Sequence, residues 1–332
     1  MRVAILIVTW NSWAVLERCL SALRQGTITT FRVLVLDNGS TKPAPAGFGS
    51  RYPEVELVRS EKNIGFAAAN NLMVRNVGDC GWIVLVNPDA FLRATCLERL
   101  IGAAGRFPKI SVFVPRLLQA HAPAILDGEG DAYHVSGIPW RIGHGAPVDS
   151  WSSGEREVFS ACAAAALYRR DAFESVGGFD EDFFCYVEDV DLGFRLRLAG
   201  HRCLLVPDAV VEHVGSATTG GKDSDFAVYH GHRNLVWAYV KNMPGLLFWA
   251  FLPLHIAMNV AAVLWYTAQG RGPVILRAKR DAIRGLPRMW RKRREIQRTR
   301  KASIGEIWRV LDKGLGPGFE RWWRSRTLRC KG

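Results

Sequence analysis

Cysteine is scarce, 7 among 332 residues, and no two stand as C-x-x-C. The scattered, odd set (Cys19, Cys80, Cys96, Cys162, Cys185, Cys203, Cys330) excludes a thiolate zinc site and a disulfide scaffold, and reads as reduced thiols in a cytosolic body. No G-x-G-x-x-G follows the first apolar run and no G-x-x-x-x-G-K-S/T occurs, which removes the dinucleotide fingerprint and the P-loop. A signal peptide is also missing: Val3–Val8 stops at Thr9-Trp10-Asn11, without a cleavage site, and reads as a buried strand. Hydrophobic residues make up 48% of the chain, too many for a disordered or collagen-like polymer. At about 100–200 residues per domain, the length suggests roughly two domains.

Acidic charge is lacking in one part only. Residues 1–240 hold 23 Lys+Arg against 26 Asp+Glu, net −3, whereas residues 241–332 hold 21 against 5, net +16. A slightly acidic body therefore carries a strongly basic tail.

Within the body, Val3–Val8, Arg32–Leu36, Val55–Val58 and Trp82–Val86 are short apolar runs. Helical spacing separates them: Val15, Leu16, Cys19, Leu20 and Leu23, then Phe66–Val77. Continuous apolar strands joined by helices predict a mainly parallel sheet covered on both faces. Residues 119–157, rich in Gly, Pro and His, read as loop; a helix is expected over Leu192–Leu198 and a strand over Cys203–Val206.

Polar residues cluster at the strand ends, where such sheets bind ligands: Thr9 and Asn11, Asp37 and Asn38, Asn87 and Asp89. The densest carboxylate cluster is Gly177-Gly178-Phe179-Asp180-Glu181-Asp182, followed by Glu188-Asp189-Val190-Asp191. Carboxylates set among aromatic residues suit a general base. The same residues suit a solvated loop and a helix N-terminus, and composition alone leaves both open.

The order of Val8-Thr9-Trp10-Asn11-Ser12, Asp37-Asn38-Gly39-Ser40, Asn63-Ile64-Gly65-Phe66-Ala67-Ala68-Ala69-Asn70-Asn71, Asn87-Pro88-Asp89-Ala90, Gly177-Gly178-Phe179-Asp180-Glu181 and Glu188-Asp189-Val190-Asp191-Leu192 resembles family 2 glycosyltransferases of GT-A fold. The resemblance covers about residues 3–242 and lies nearest the rhamnosyltransferase-like branch. It implies a donor pocket of Thr9, Asn11, Asp37, Asn63 and Gly65. Asn87-Pro88-Asp89 is similar to the Asp-x-Asp motif, with Asn in the first place, so Asp89 is the expected ligand of Mg²⁺ or Mn²⁺. His213, in Val211-Glu212-His213-Val214-Gly215-Ser216, resembles a further metal ligand. Asp189 resembles the base of an inverting transfer, with Glu188 and Asp191 on the acceptor side, and Arg233 of Arg233-Asn234 is the expected donor-phosphate contact. The implied reaction moves L-rhamnose from dTDP-L-rhamnose to a lipid-linked or cell-surface polysaccharide acceptor. Another UDP- or GDP-sugar, or a non-catalytic nucleotide-sugar-binding scaffold, is the alternative.

The tail opens with Leu246–Tyr266, 21 residues without Lys, Arg, Asp or Glu, interrupted by Pro253, His255 and Asn259. A single span would place residues 271–332, net +15, opposite the catalytic body and against the positive-inside tendency. The expectation is an in-plane or re-entrant segment over 243–270 and a basic amphipathic helical tail over 271–332. Its stripe is Ile304, Ile307, Trp308, Leu311 and Leu315, with Trp322-Trp323 suited to headgroups. Both would hold a catalytic domain, 1–242, at the cytoplasmic face of an anionic membrane as a peripheral or monotopic protein. A buried core helix is the alternative for the apolar run. Nucleic acid is not expected as a partner, because the long uncharged segment and the tryptophans favour lipid.

Overall fold

The computed structural model describes residues 1–150, 154–215 and 224–314. Its first half alternates strand and helix: β1 (Val3–Thr9), α1 (Trp13–Arg24), β2 (Arg32–Asn38), the single turn α2 (Phe48–Arg51), β3 (Val55–Ser60), α3 (Phe66–Val74) and β4 (Trp82–Val86). Every residue of β1 is buried, which its unbroken apolar run requires of a central strand. The strands β3-β2-β1-β4 lie parallel in that order. Chain order reverses between β1 and β4, so a crevice opens at their carboxyl ends.

The second half completes the sheet with β5 (Ala90–Leu92), α4 (Cys96–Arg106), β6 (Val112–Gln119), β7 (Ala122–Gly128), β8 (Asp131–Tyr133), β9 (Pro139–Arg141), β10 (Arg156–Glu157), β11 (Ala165–Arg169), α5 (Arg170–Ser175), α6 (Glu188–Leu198) and β12 (Cys203–His213). β11 runs antiparallel to both β4 and β6, and β12 runs parallel to β6. One hydrophobic cluster, from α1 and α4, covers one face of the sheet; another, from α3, α5 and α6, covers the other.

Residues 119–157, expected as loop, hold β7 to β10. These strands are two to seven residues long and, with the turn between β7 and β8, bury charge, Asp127, Glu129 and Asp131, so no apolar alternation marks them. Glu129 is neutralised by Arg116 at 2.6 Å and by Arg156. The strand expected over Cys203–Val206 continues past a register break between Val206 and Val210 to His213.

Among the described residues four helices follow: α7 (Asp225–Asn242), α8 (Gly245–Ala268), α9 (Gly272–Thr299) and α10 (Ile304–Val310). α9 returns along α7, and a third hydrophobic cluster joins Trp237, Tyr239, Phe248, Met289, Ile307 and Leu311 to Phe183 and Phe194 of the body. Of the stripe expected to face lipid, Ile307 and Leu311 face the core, at 1% and 2% exposure, whereas Ile304 is half-buried and Trp308 is exposed. Leu315 and Trp322-Trp323 lie outside the described residues.

Candidate active site

The site grows from the carboxyl ends of β1, β2 and β4. Thr9 and Asp37 stand opposite each other in the β1–β2 register, both buried, and Thr9 shares a 3.0 Å hydrogen bond with Ser12. Asp37 accepts the Ser40 amide at 3.0 Å and lies 3.6 Å from Arg59. Asn11, left-handed at φ 52°, accepts the Thr41 amide and hydroxyl, both at 2.9 Å, which closes the β1 loop on the β2 loop. Asn63 accepts from Asn38 at 3.0 Å and from the Gly65 amide at 2.9 Å. Gly65, at φ 86°, leaves no room for a Cβ, which would sit 2.6 Å from the Phe184 ring. The expected donor residues therefore line one edge, and Gly65 lets the loop before α6 approach it.

A second group assembles around Asp89. β5 pairs with β12 so that Ala90 faces His213, which sets Asp89 beside His213; their Oδ1 and Nε2 atoms are 3.5 Å apart. His213 Nδ1 is 2.8 Å from Asp127 Oδ2. Burial alone would lower the His213 pKa, but Asp127 and Asp89 raise it above the ordinary value. Nε2 is buried and makes no hydrogen bond. Among the described residues no group of three or more His, Cys, Asp or Glu side chains is arranged to hold a metal ion. The donor set present is one carboxylate and one imidazole. That fits a cation such as Mg²⁺, which uses few protein ligands at about 2.0–2.1 Å and completes its shell with phosphate and water. The 3.5 Å separation is within the reach of two ligands on one such ion.

The third group is the loop 184–187 and the start of α6. Phe184, Tyr186 and Val187 all have positive φ, from 65° to 68°. For a β-branched residue this is strain, of order 1–3 kcal/mol. Fully buried Asn234 holds the loop, donating to the carbonyls of Phe183, Cys185 and Tyr186 at 2.7–2.9 Å. The turn delivers Asp189, half-buried, whose Oδ2 accepts the Ala163 amide at 3.1 Å. The next residue on that segment, Ala164, accepts the Asn87 amide at 2.8 Å. One short piece of backbone therefore ties Asp189 to Asn87-Pro88-Asp89.

Beside Asp189, burial first and then the Asp189 charge push the Glu188 carboxyl well above its usual range, and its Oε2 has no hydrogen-bond partner. Asp131 is raised to about 8 by burial and then by Asp189. Asp191 requires a correction. Instead of facing an acceptor, it is fully buried and held by Arg195 at 2.8 Å, Lys241 at 2.7 Å and Asn242 at 2.7 Å, leaving no surface for a substrate. Arg233, the expected phosphate contact, is turned to the loop: Nη2 donates to the Asp182 and Phe183 carbonyls at 3.2 and 3.0 Å, and the guanidinium lies over Trp237. Asp127 and Asp131 had no place in the sequence-derived site, because their partners lie far away in the chain; Asn234 was marked by the Arg233-Asn234 pair, but not as the residue that holds the loop.

The model of the family described as "Glycosyl transferase family 2" matches residues 4–177. The chain belongs to this family. As a family 2 glycosyltransferase it is 32% identical over 254 residues to the N-acetylglucosaminyl-diphospho-decaprenol L-rhamnosyltransferase of Mycobacterium tuberculosis, covering 68% of this chain and 80% of that one. The O-antigen chain rhamnosyltransferase RfbN of Salmonella typhimurium is 24% identical over 216 residues, covering 64% of this chain and 66% of the relative. The fold is GT-A. A mannosyltransferase of Pyrobaculum calidifontis, solved with GDP-Man and Mn²⁺, superposes with TM-score 0.54 at 17% identity, over 90% of this chain and 84% of the other. GalNAc-T7, solved with UDP, GalNAc and Mn²⁺, gives 0.59 at 15% identity, over 73% and 48%.

Proposed function

We propose that this glycosyltransferase moves L-rhamnose from dTDP-L-rhamnose to a lipid-linked acceptor, with inversion, at the cytoplasmic face of a membrane. The observation that carries the reading is the Ala163–Ala164 segment, which fixes Asp189 and the Asn87-Pro88-Asp89 turn against one backbone. A base and a leaving-group site must lie on opposite sides of one anomeric carbon, and this segment sets the two apart by a fixed span.

In this reading Asp189 takes the proton of the acceptor hydroxyl as that oxygen bonds to the anomeric carbon, and the bond to the dTDP oxygen breaks. Burial holds the neighbouring Glu188 and Asp131 carboxyls above their usual range. Thr9, Asn11, Asp37, Asn63 and Gly65 hold the nucleoside, and Asn87 orients the Asp89 turn. Asp89 and His213 would hold a divalent cation, which would supply charge to stabilise the departing diphosphate. The identity to a rhamnosyltransferase whose name specifies a diphospho-decaprenol acceptor supports the sugar and the lipid.

Membrane attachment draws on α8, whose Leu246, Trp249, Ile256, Val260, Leu264 and Trp265 are exposed, and on the exposed arginines of α9. In the most apolar window of α8 only 11% of residues are buried, which does not describe a core helix. The polar interruptions of α8 pack on the protein. His255 stacks on Tyr239 at 4.0 Å and bonds the Ser136 carbonyl at 2.7 Å, and Asn259 accepts from Lys279 at 2.5 Å. A helix held along its length to the body suits the in-plane arrangement and one side of the membrane.

The test is turnover by the full chain of dTDP-L-rhamnose, UDP-sugars and GDP-sugars with a polyprenyl-diphospho-N-acetylglucosamine acceptor. Rhamnosyl transfer with inverted anomeric configuration is expected. An inert dTDP-L-rhamnose beside a reactive UDP- or GDP-sugar overturns the donor assignment.

A further inference from the structure

We propose that Asp127 is a positioning residue that fixes the direction of His213, and its tautomer once a cation takes the place of the Nε2 proton, so that Nε2 faces a cation shared with Asp89. The inference rests on the reading above in which Asp89 and His213 hold a divalent cation, and adds a residue that no sequence motif marks.

The argument starts from the β6–β7 register. Leu117 pairs with Gly128 and Leu118 with Leu126, so Asp127 is the extra residue of a β-bulge. Bulges re-aim a side chain next to functional sites. Here the bulged carboxylate reaches His213 at the end of β12, the strand on the other side of β6, with Oδ2 2.8 Å from Nδ1.

Asp127 is itself fixed. Arg141 donates to Oδ2 at 2.5 Å, and the His144 Nδ1 atom bonds the Asp127 carbonyl at 2.8 Å. An ionised carboxylate only accepts, so the Nδ1–H of His213 must be the donor, and in the neutral ring Nε2 is then the lone-pair atom. That atom is buried, makes no hydrogen bond, and stands 3.5 Å from Asp89 Oδ1. A carboxylate behind an imidazole is how metal-binding histidines are held, and loss of the carboxylate typically costs about 10- to 100-fold in metal affinity.

The experiment titrates Mn²⁺ alone into the full chain, following free Mn²⁺ by its paramagnetic resonance, for wild type, Asp127→Asn, His213→Ala and the double variant. The expected result is a loss of about 10- to 100-fold for Asp127→Asn, a loss at least as large for His213→Ala, and no further loss in the double variant, because Asp127 acts through His213. Additive losses, or an Asp127→Asn affinity equal to wild type, overturn the positioning role. No Mn²⁺ binding by wild type, or unchanged binding by His213→Ala, overturns the cation reading itself. A second measurement needs no variant: ring ¹⁵N shifts of His213 in the Mg²⁺-loaded wild type should report the proton on Nδ1, and a proton on Nε2 overturns the proposal.

Discussion

Three carbonyls of one loop, those of Phe183, Cys185 and Tyr186, converge on one amide nitrogen, Asn234 Nδ2, and that convergence holds Val187 in a left-handed conformation its branched side chain resists. The strain lies two residues before Asp189, so the side chain is aimed by the loop behind it. Replacing Asp189 with Asn keeps the Ala163 hydrogen bond but removes the base. The expected outcome in steady-state transfer assays is a fall in kcat of about 100- to 10,000-fold with donor affinity unchanged. Activity retained in that variant removes Asp189 from the mechanism. A different signature is expected at Asp131, where burial and then the Asp189 charge raise the carboxyl to about 8. The folded state keeps a proton there that the unfolded chain releases above about pH 4. Folding stability from this group therefore falls as pH rises from about 4 to about 8. Asp131→Asn cannot lose that proton, so its Tm should gain on wild type steadily between pH 5 and pH 8. A gap that does not change with pH means that Asp131 is ionised in the fold. Motifs pointed to Asp89, Asp189 and His213 because each sits in a contiguous pattern. Asp127 acts across 86 residues of chain and leaves no local trace, and the Arg233-Asn234 pair marked Asn234 without showing the loop, about 50 residues away, that it holds.

At the scale of elements, the loop that carries Asp180 is clamped by two helices of the basic tail side. Lys241 on α7 lies 2.5 Å from Asp180 and 2.7 Å from Asp191, and Lys292 on α9 lies 2.5 Å from Asp180 and 2.7 Å from Asp182. Burial opposes the charge on Asp180, but the two ammonium groups outweigh it and hold that carboxyl below its usual range. Lys241 is 1% exposed, so Lys241→Met leaves two buried carboxylates without their shared cation. Denaturant unfolding should show a loss of about 3–5 kcal/mol. Lys292 is one-third exposed and its removal should cost clearly less. The sequence pattern of β1, α1, β2 and β4 was readable because a central parallel strand must be apolar throughout and its covering helix must carry a stripe. The strands β7 to β10 were hidden for the opposite reason: they bury ion pairs such as Arg116–Glu129 and Arg141–Asp127, and no apolar period survives. The α10 stripe was legible as a period but not as a direction, since core and lipid select the same residues.

For the whole molecule, the net charge of +13 separates into a near-neutral body and a tail of +16, and the structure folds much of that tail back onto the body. Arg293 donates to the Val240 and Met243 carbonyls, and Trp237 to the Ala282 carbonyl, so α9 cannot swing free as a tether without breaking buried contacts. What remains outward is the apolar face of α8, with Trp249 at 61% and Trp265 at 64% exposure, and arginines such as Arg277, Arg280 and Arg284 on α9. Apolar insertion and charge attraction should then make separable contributions to membrane binding. Arginines near an anionic surface contribute about 1 kcal/mol each and are screened by salt, whereas a buried aromatic contributes about 1.5–3 kcal/mol and is not. In co-sedimentation with phosphatidylglycerol vesicles, Trp249→Ser with Trp265→Ser should weaken binding by at least about tenfold at both low and high salt. Arg277→Gln with Arg280→Gln and Arg284→Gln should weaken it at low salt only. Trp249 meets Phe248 of the third cluster at its edge, 4.8 Å between ring centroids, so the tryptophan variant should lose a few degrees of Tm at most and the arginine variant less, and both should stay folded by circular dichroism. If the tryptophan variant pellets with vesicles as well as wild type does, α8 is not the membrane contact, and the cytoplasmic-face assignment loses its structural support.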